Sequence, residues 1–167
     1  MVRRILLALL CWLSIAGPLQ AADEYSLKAT FLYRFAQFTE WPPPPRAQVR
    51  FCLLGHPALL QAFAELKLPP DVKALDVKEL SGKQALSQCD VLMLGLSDRQ
   101  TLTQWQRDLA GTPLLIVTDN NEAYRQLGVI QLITSPDGIS FQVNLQRAAA
   151  HQIKLGAQLL KLARQVD

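Results

Sequence analysis

Pro113-Leu114-Leu115-Ile116-Val117-Thr118-Asp119-Asn120-Asn121 runs apolar from Leu114 to Val117, is β-branched from Ile116 to Thr118, and is closed on both sides by strand-stopping residues. A strand with no polar alternation has no face to give to water, so this stretch reads as a buried strand of a sheet covered on both sides. Working outward, Cys89-Asp90-Val91-Leu92-Met93-Leu94 has the same character, and so does Val49-Arg50-Phe51-Cys52-Leu53-Leu54 further back. Helical patterns separate these runs: 57–66 after the first strand, 98–109 before the buried run, and 120–126 up to Gly128. A short extended piece at 72–77 and a polar segment at 79–88 fill the remaining interval. Strands alternating with helices specify a parallel sheet with helices on both faces. The expectation is α/β: a single three-layer domain with a largely parallel central sheet.

Both ends of the chain depart from this alternation. From Glu24 to Trp41, Leu27, Phe31, Leu32, Phe35 and Phe38 recur at helical spacing, with Lys28, Arg34, Gln37 and Glu40 polar. Trp41-Pro42-Pro43-Pro44-Pro45 ends that helix, because proline lacks the amide donor and restricts the residue before it. At the other end, Val129–Ile133 and Ile139–Val143 flank Ser135-Pro136-Asp137-Gly138, which predicts an antiparallel hairpin with Asp-Gly supplying the turn. A long C-terminal helix is expected from Asn144 to about Val166.

Arg3 and Arg4, the apolar run Ile5–Ala16, Gly17-Pro18 and the small Ala21 and Ala22 have the layout of a secretory signal peptide, with cleavage after Ala21 or Ala22. The apolar run is too short for a bilayer span of roughly 20 residues; a permanent anchor is the alternative. The divisions are therefore 1–21, a signal peptide, and 22–167, the exported domain. Of 17 basic residues, Arg3 and Arg4 leave with the leader, so the mature chain is nearly neutral against its 14 acidic residues. No basic run with interleaved aromatics argues for nucleic acid. Cys11 also leaves, and Cys52 and Cys89 remain. An even count in an exported chain favours a disulfide between the two strand regions, with two separate buried thiols as the alternative.

The chemistry for catalysis is sparse. His56 in Gly55-His56-Pro57, Ser97 and Asp119 follow strand ends, where α/β folds bind ligands, and they are the candidate ligand residues. Against that, Asp98 and Asp119 each adjoin a helix start and are explained equally well by capping. No glycine-rich phosphate loop, nucleophile elbow or zinc-type spacing is present, so neither a cofactor nor a metal is expected. The first and last helices are apolar beyond a narrow stripe. Tyr33, Phe35 and Trp41 on the first, with His151, Leu155 and Leu159 on the last, are the candidate partner-interface residues.

Leu27-Lys28-Ala29-Thr30-Phe31-Leu32-Tyr33-Arg34-Phe35-Ala36-Gln37-Phe38-Thr39-Glu40-Trp41-Pro42 resembles the opening helix of the YfiR family of periplasmic proteins. The likeness continues in order through Phe51–Gly55, Cys89–Leu94, Leu114–Asp119, Ile139–Leu145 and Leu159–Arg164. The resemblance implies a compact α/β domain, a homodimer and no catalysis. It further implies repression of an inner-membrane GGDEF diguanylate cyclase through the cyclase's periplasmic part, and release by an outer-membrane lipoprotein or by envelope redox state. Cys52 and Cys89 fall where the family has a structural disulfide. The second, later cysteine pair of some members is missing here. Two other readings remain open from the residues: a periplasmic small-molecule sensor using His56, Ser97 and Asp119, and an exported enzyme on the same scaffold.

Overall fold

Alternation of side chains along the central strands sets the layering. The computed structural model describes residues 18–72 and 74–167, with side chains from Glu24 onward except at 83–85. All four residues of β4 (Val91–Leu94) and of β5 (Leu115–Thr118) are buried, and successive side chains point to opposite faces. Val91, Met93, Leu115 and Val117 join Phe51 and Leu53 of β2 (Arg50–Leu54) in one core, covered by α1 (Pro18–Gln37) and α2 (Pro57–Ala64). Leu92, Leu94 and Ile116 join Cys52 and Leu54 in the second, under α3 (Arg99–Leu109) and α4 (Asn121–Gln126). The expected three layers are thus formed, with each central strand buried on both faces.

The main sheet has seven strands in the order β3 (Asp76–Leu80), β2, β4, β5, β6 (Ile130–Ser135), β7 (Gly138–Val143) and β9 (Gln165–Val166). The first four pairings are parallel, β6–β7 is the expected antiparallel hairpin, and β9 adds in parallel to β7. In the hairpin, Ser135 pairs with Gly138 across Pro136 and Asp137, and only Gly138 takes a positive φ, of 124°. In the order β3-β2-β4-β5-β6 the sheet grows first to one side of β2 and then to the other. That places a switch point, where such sheets bind ligands, beyond the carboxyl ends of β2 and β4.

Three expectations are corrected at the ends and at one edge. The first helix stops at Gln37, not Trp41, and the chain then extends as β1 (Thr39–Glu40) to pair with β8 (Lys154–Leu155) in a small antiparallel ribbon. The edge strand is Asp76–Leu80 instead of 72–77, because pairing with β2 carries the backbone on to Leu80. The long C-terminal helix is broken into α5 (Leu145–Ala150), β8, α6 (Ala157–Leu162) and β9. The break is a Schellman cap: Gln152 takes a left-handed φ of 56°, its amide bonds Ala149 O at 2.9 Å, and the Ile153 amide bonds Ala148 O at 3.0 Å. Tertiary partners hold that cap, since His151 Nδ1 donates to Thr112 O at 2.8 Å and Gln152 Nε2 to Gly111 O at 3.1 Å.

The expected signal peptide lies outside the described residues as far as residue 17, and Pro18–Ala22 open α1. No helix among the described residues is long and apolar enough to cross a membrane.

Candidate functional site

The switch-point crevice is built by three strand ends and one helix. Gly55, at φ 77°, turns the chain after β2 and is followed by His56; Asp119 follows β5; Lys28 comes from α1. Gly95, just past β4, is required here: a Cβ on it would lie 2.8 Å from His56 Nε2 and 2.9 Å from Leu54 O. The His56 ring therefore lies directly over glycine backbone.

Lys28 Nζ donates to Asp119 Oδ2 at 2.6 Å and contacts Glu24 Oε1 at 2.7 Å, while His56 Nε2 stands 3.4 Å from Asp119 Oδ1. Thr134 donates to Glu24 Oε1 at 3.1 Å. At 3.4 Å the His56–Asp119 contact is longer than a good hydrogen bond, and His56 Nε2 is buried with no hydrogen-bond partner. Burial pushes the Asp119 carboxyl up, but His56 and Lys28 outweigh it and hold the group well below the usual carboxylate range. For Lys28, burial acts downward and its bonds to Asp119 and Glu24 raise its pKa beyond the ordinary lysine value. The crevice is thus filled by the chain's own ammonium, in an ion chain linking α1 to the sheet.

Of the candidate ligand residues, His56 and Asp119 come together, and Ser97 lies exposed in the β4–α3 loop. Asp119 does not cap α4; Asn120 does, accepting from Glu122 N and Ala123 N. Asp98 caps α3 through Thr101 N at 2.7 Å, as expected. Lys28 is the residue that sequence reasoning assigned to a polar face. The signal was present, because Lys28, Leu32 and Ala36 lie four apart and all three are buried. The α1 stripe is therefore rotated from the expected one, leaving Leu27 44% exposed.

Cys52 and Cys89 form a disulfide in the α3/α4-side core, with Cα atoms 5.7 Å apart. The next residue, Asp90, is fully buried and accepts from Arg46 Nε at 2.6 Å, Arg50 Nε at 2.9 Å, Arg50 Nη2 at 3.0 Å and the Arg50 amide at 2.9 Å. Burial raises its pKa; the two arginines reverse this and leave it lowered. Arg46 also stands over the Trp41 ring at 5.1 Å, fastening the proline connector.

The candidate interface residues are mostly inside the chain itself. Tyr33, Phe35, His151, Leu155 and Leu159 are buried, and Trp41 is half-buried against the core. Phe35 packs edge-on to Phe141 at 4.9 Å, so its bulk serves the α1–β7 contact. One apolar surface that remains open lies beside them: a cavity of about 290 Å³ between α1, β7 and α6, whose lining includes Phe31, Arg34, Phe38, Phe141, Leu159 and Leu162. Leu162 on its rim is 75% exposed.

Comparison with solved structures gives a likeness to a conserved domain protein from Vibrio cholerae O1 biovar El Tor str. N16961, at a TM-score of 0.53 and 9% identity. The match covers 86% of this chain and 60% of that one, and it shows the fold. The profile of DUF4154, described as YfiR/HmsC-like, matches residues 25–164, from the third turn of α1 to the residue before β9. The chain therefore belongs to the YfiR/HmsC-like family.

Proposed function

We propose that this protein is a non-enzymatic periplasmic repressor that binds the periplasmic part of an inner-membrane GGDEF diguanylate cyclase and lowers cyclic di-GMP and biofilm formation. The observation that carries the reading is the family match across residues 25–164, which takes in both cores, the Lys28–Asp119 pair and the disulfide. A disulfide suits an oxidising compartment, which agrees with export. Cleavage after Ala21 or Ala22 removes only the opening turn of α1 and keeps Glu24 and Lys28 in the mature chain.

The repressor acts by population shift. It binds the inactive conformation of the cyclase more tightly than the active one, and only that difference in affinity moves the equilibrium. Turning a cyclase from almost wholly active to almost wholly inactive takes a preference of about 10⁴-fold. In this reading the repressor is a homodimer, and an outer-membrane lipoprotein that sequesters it restores cyclase activity.

Deleting the gene and measuring intracellular cyclic di-GMP tests this. The level should rise, and an export-competent copy should reverse the rise while a copy lacking residues 1–21 should not. An unchanged level in cells that express the protein would count against repression.

A further inference from the structure

The groove between α1, β7 and α6 has a shape and charge that specify what fits it. Leu27, Phe31 and Arg34 on α1, and Phe38 in the turn that closes it, follow one another at i, i+4, i+7 and i+11, which is a single helix stripe. That stripe runs along the margin of the core: Leu27 and Arg34 are exposed, while Phe31 and Phe38 are partly buried, packed against the core on one side and open on the other. Across the groove, Leu162 projects from α6. The surface is concave, with room for one or two large side chains, so it receives an apolar protrusion and does not itself form a wedge for a lipid surface.

Its charge is one-sided. Arg34 is the single charged residue in the lining, and its side chain bonds only the neutral Gln37 Oε1, at 2.9 Å, among the described residues. Lys161 and Arg164, beside Leu162 and β9, are exposed and have no ion pair among the described residues. A two-fold contact of this groove with a second copy would bring cation against cation with no acid in the patch to offset it. A partner segment with a carboxylate beside its apolar residues has the opposite charge and the matching shape.

We propose that this groove is the docking site for the repressed cyclase: an amphipathic segment of the cyclase's periplasmic part sets apolar side chains against Phe31, Phe38 and Leu162 and places a carboxylate on Arg34. This rests on the repressor reading above and names the surface that performs it.

The test uses purified mature protein and the purified periplasmic part of the cyclase whose output rises in the deletion strain, with affinity measured by calorimetry. Leu162→Glu and Arg34→Glu should each weaken binding by about tenfold or more, while Leu60→Glu on the exposed side of α2 should leave it unchanged. All three should keep the wild-type melting temperature and solution mass. If a glutamate variant fails to fold, Leu162→Gln and Arg34→Gln take its place with the same expected direction.

Wild-type binding that persists undiminished in the groove variants would overturn the docking site and leave the repressor reading standing. If the groove variants lose dimer mass and not cyclase affinity, a second copy covers the groove and the proposal falls. Loss of binding to vesicles of phosphatidylethanolamine and phosphatidylglycerol, without loss of cyclase affinity, would overturn it in favour of a membrane surface. If the wild-type protein fails to bind any cyclase segment and deletion leaves cyclic di-GMP unchanged, both readings fail together.

Discussion

Asp90 concentrates more of the local structure than any other charged residue. Its carboxylate has no exposure to water and accepts four hydrogen bonds, from Arg46, from the Arg50 side chain and from the Arg50 amide. Replacing one member of a buried pair strands the other, at about 3–5 kcal/mol. Arg46 and Arg50 both reach solvent, so Asp90→Asn should destabilise by about 3 kcal/mol, read as a lowered urea midpoint. Acid should act in the same direction. Asp90 and Asp119 titrate below their ordinary value in the folded protein, so the folded state binds fewer protons than the unfolded one. Their contribution is complete above the unfolded carboxylate pKa of about 3.9. It is lost as pH falls from there toward the lower folded values. Urea midpoints should therefore lose this contribution only below about pH 5, and Asp90→Asn should flatten the acid limb. Gly95 makes a steric prediction of the same kind. A Cβ there meets Leu54 O at 2.9 Å, and backbone cannot step aside, so Gly95→Ala should cost about 1–3 kcal/mol and displace His56.

Among the elements, the C-terminal chain shows where sequence reading stops. The central strands were legible because β4 and β5 are apolar at every position but one, and the hairpin because Gly138 follows Pro136-Asp137. The break after α5 was not legible, since the left-handed cap position holds Gln152, where glycine usually marks such an end. What fixes it is remote: Gly111 and Thr112 hold Gln152 and His151, and β8 is taken up by β1. Gln152→Gly should therefore stabilise the protein by about 0.5–1 kcal/mol, seen as a higher melting temperature, because it removes the left-handed strain for the loss of one exposed hydrogen bond. The candidate site was legible only in part. His56 and Asp119 were found as strand-end residues, whereas Lys28 was read by residue type and not by its place on the Leu32–Ala36 stripe. The α1 and α6 aromatics and leucines were recognised as more apolar surface than one core requires. Which of them keep exposed surface, Phe31, Phe38 and Leu162 instead of the buried Phe35 and Leu159, depends on a helix rotation that tertiary packing sets.

At the scale of the molecule, three cross-links join distant parts of the chain: the Cys52–Cys89 bond and the Asp90 cluster tie the β2 region to the start of β4, and the Lys28 ion chain ties α1 to the sheet. The disulfide spans 37 positions, so its loss should cost about 2–5 kcal/mol. A Cys52→Ser/Cys89→Ser protein should melt earlier and, by raising the unfolded fraction, relieve repression in cells. If that double variant stayed fully folded and fully repressive, the disulfide would have no part in regulation. The central claim concerns the cyclase itself. It is tested most directly by cyclic di-GMP production from full-length cyclase in proteoliposomes, with GTP on the catalytic side and the purified mature protein added on the periplasmic side. Turnover should fall saturably with added protein, and Leu162→Glu should shift that curve to higher concentration. Turnover that stays constant up to saturating protein would contradict the account.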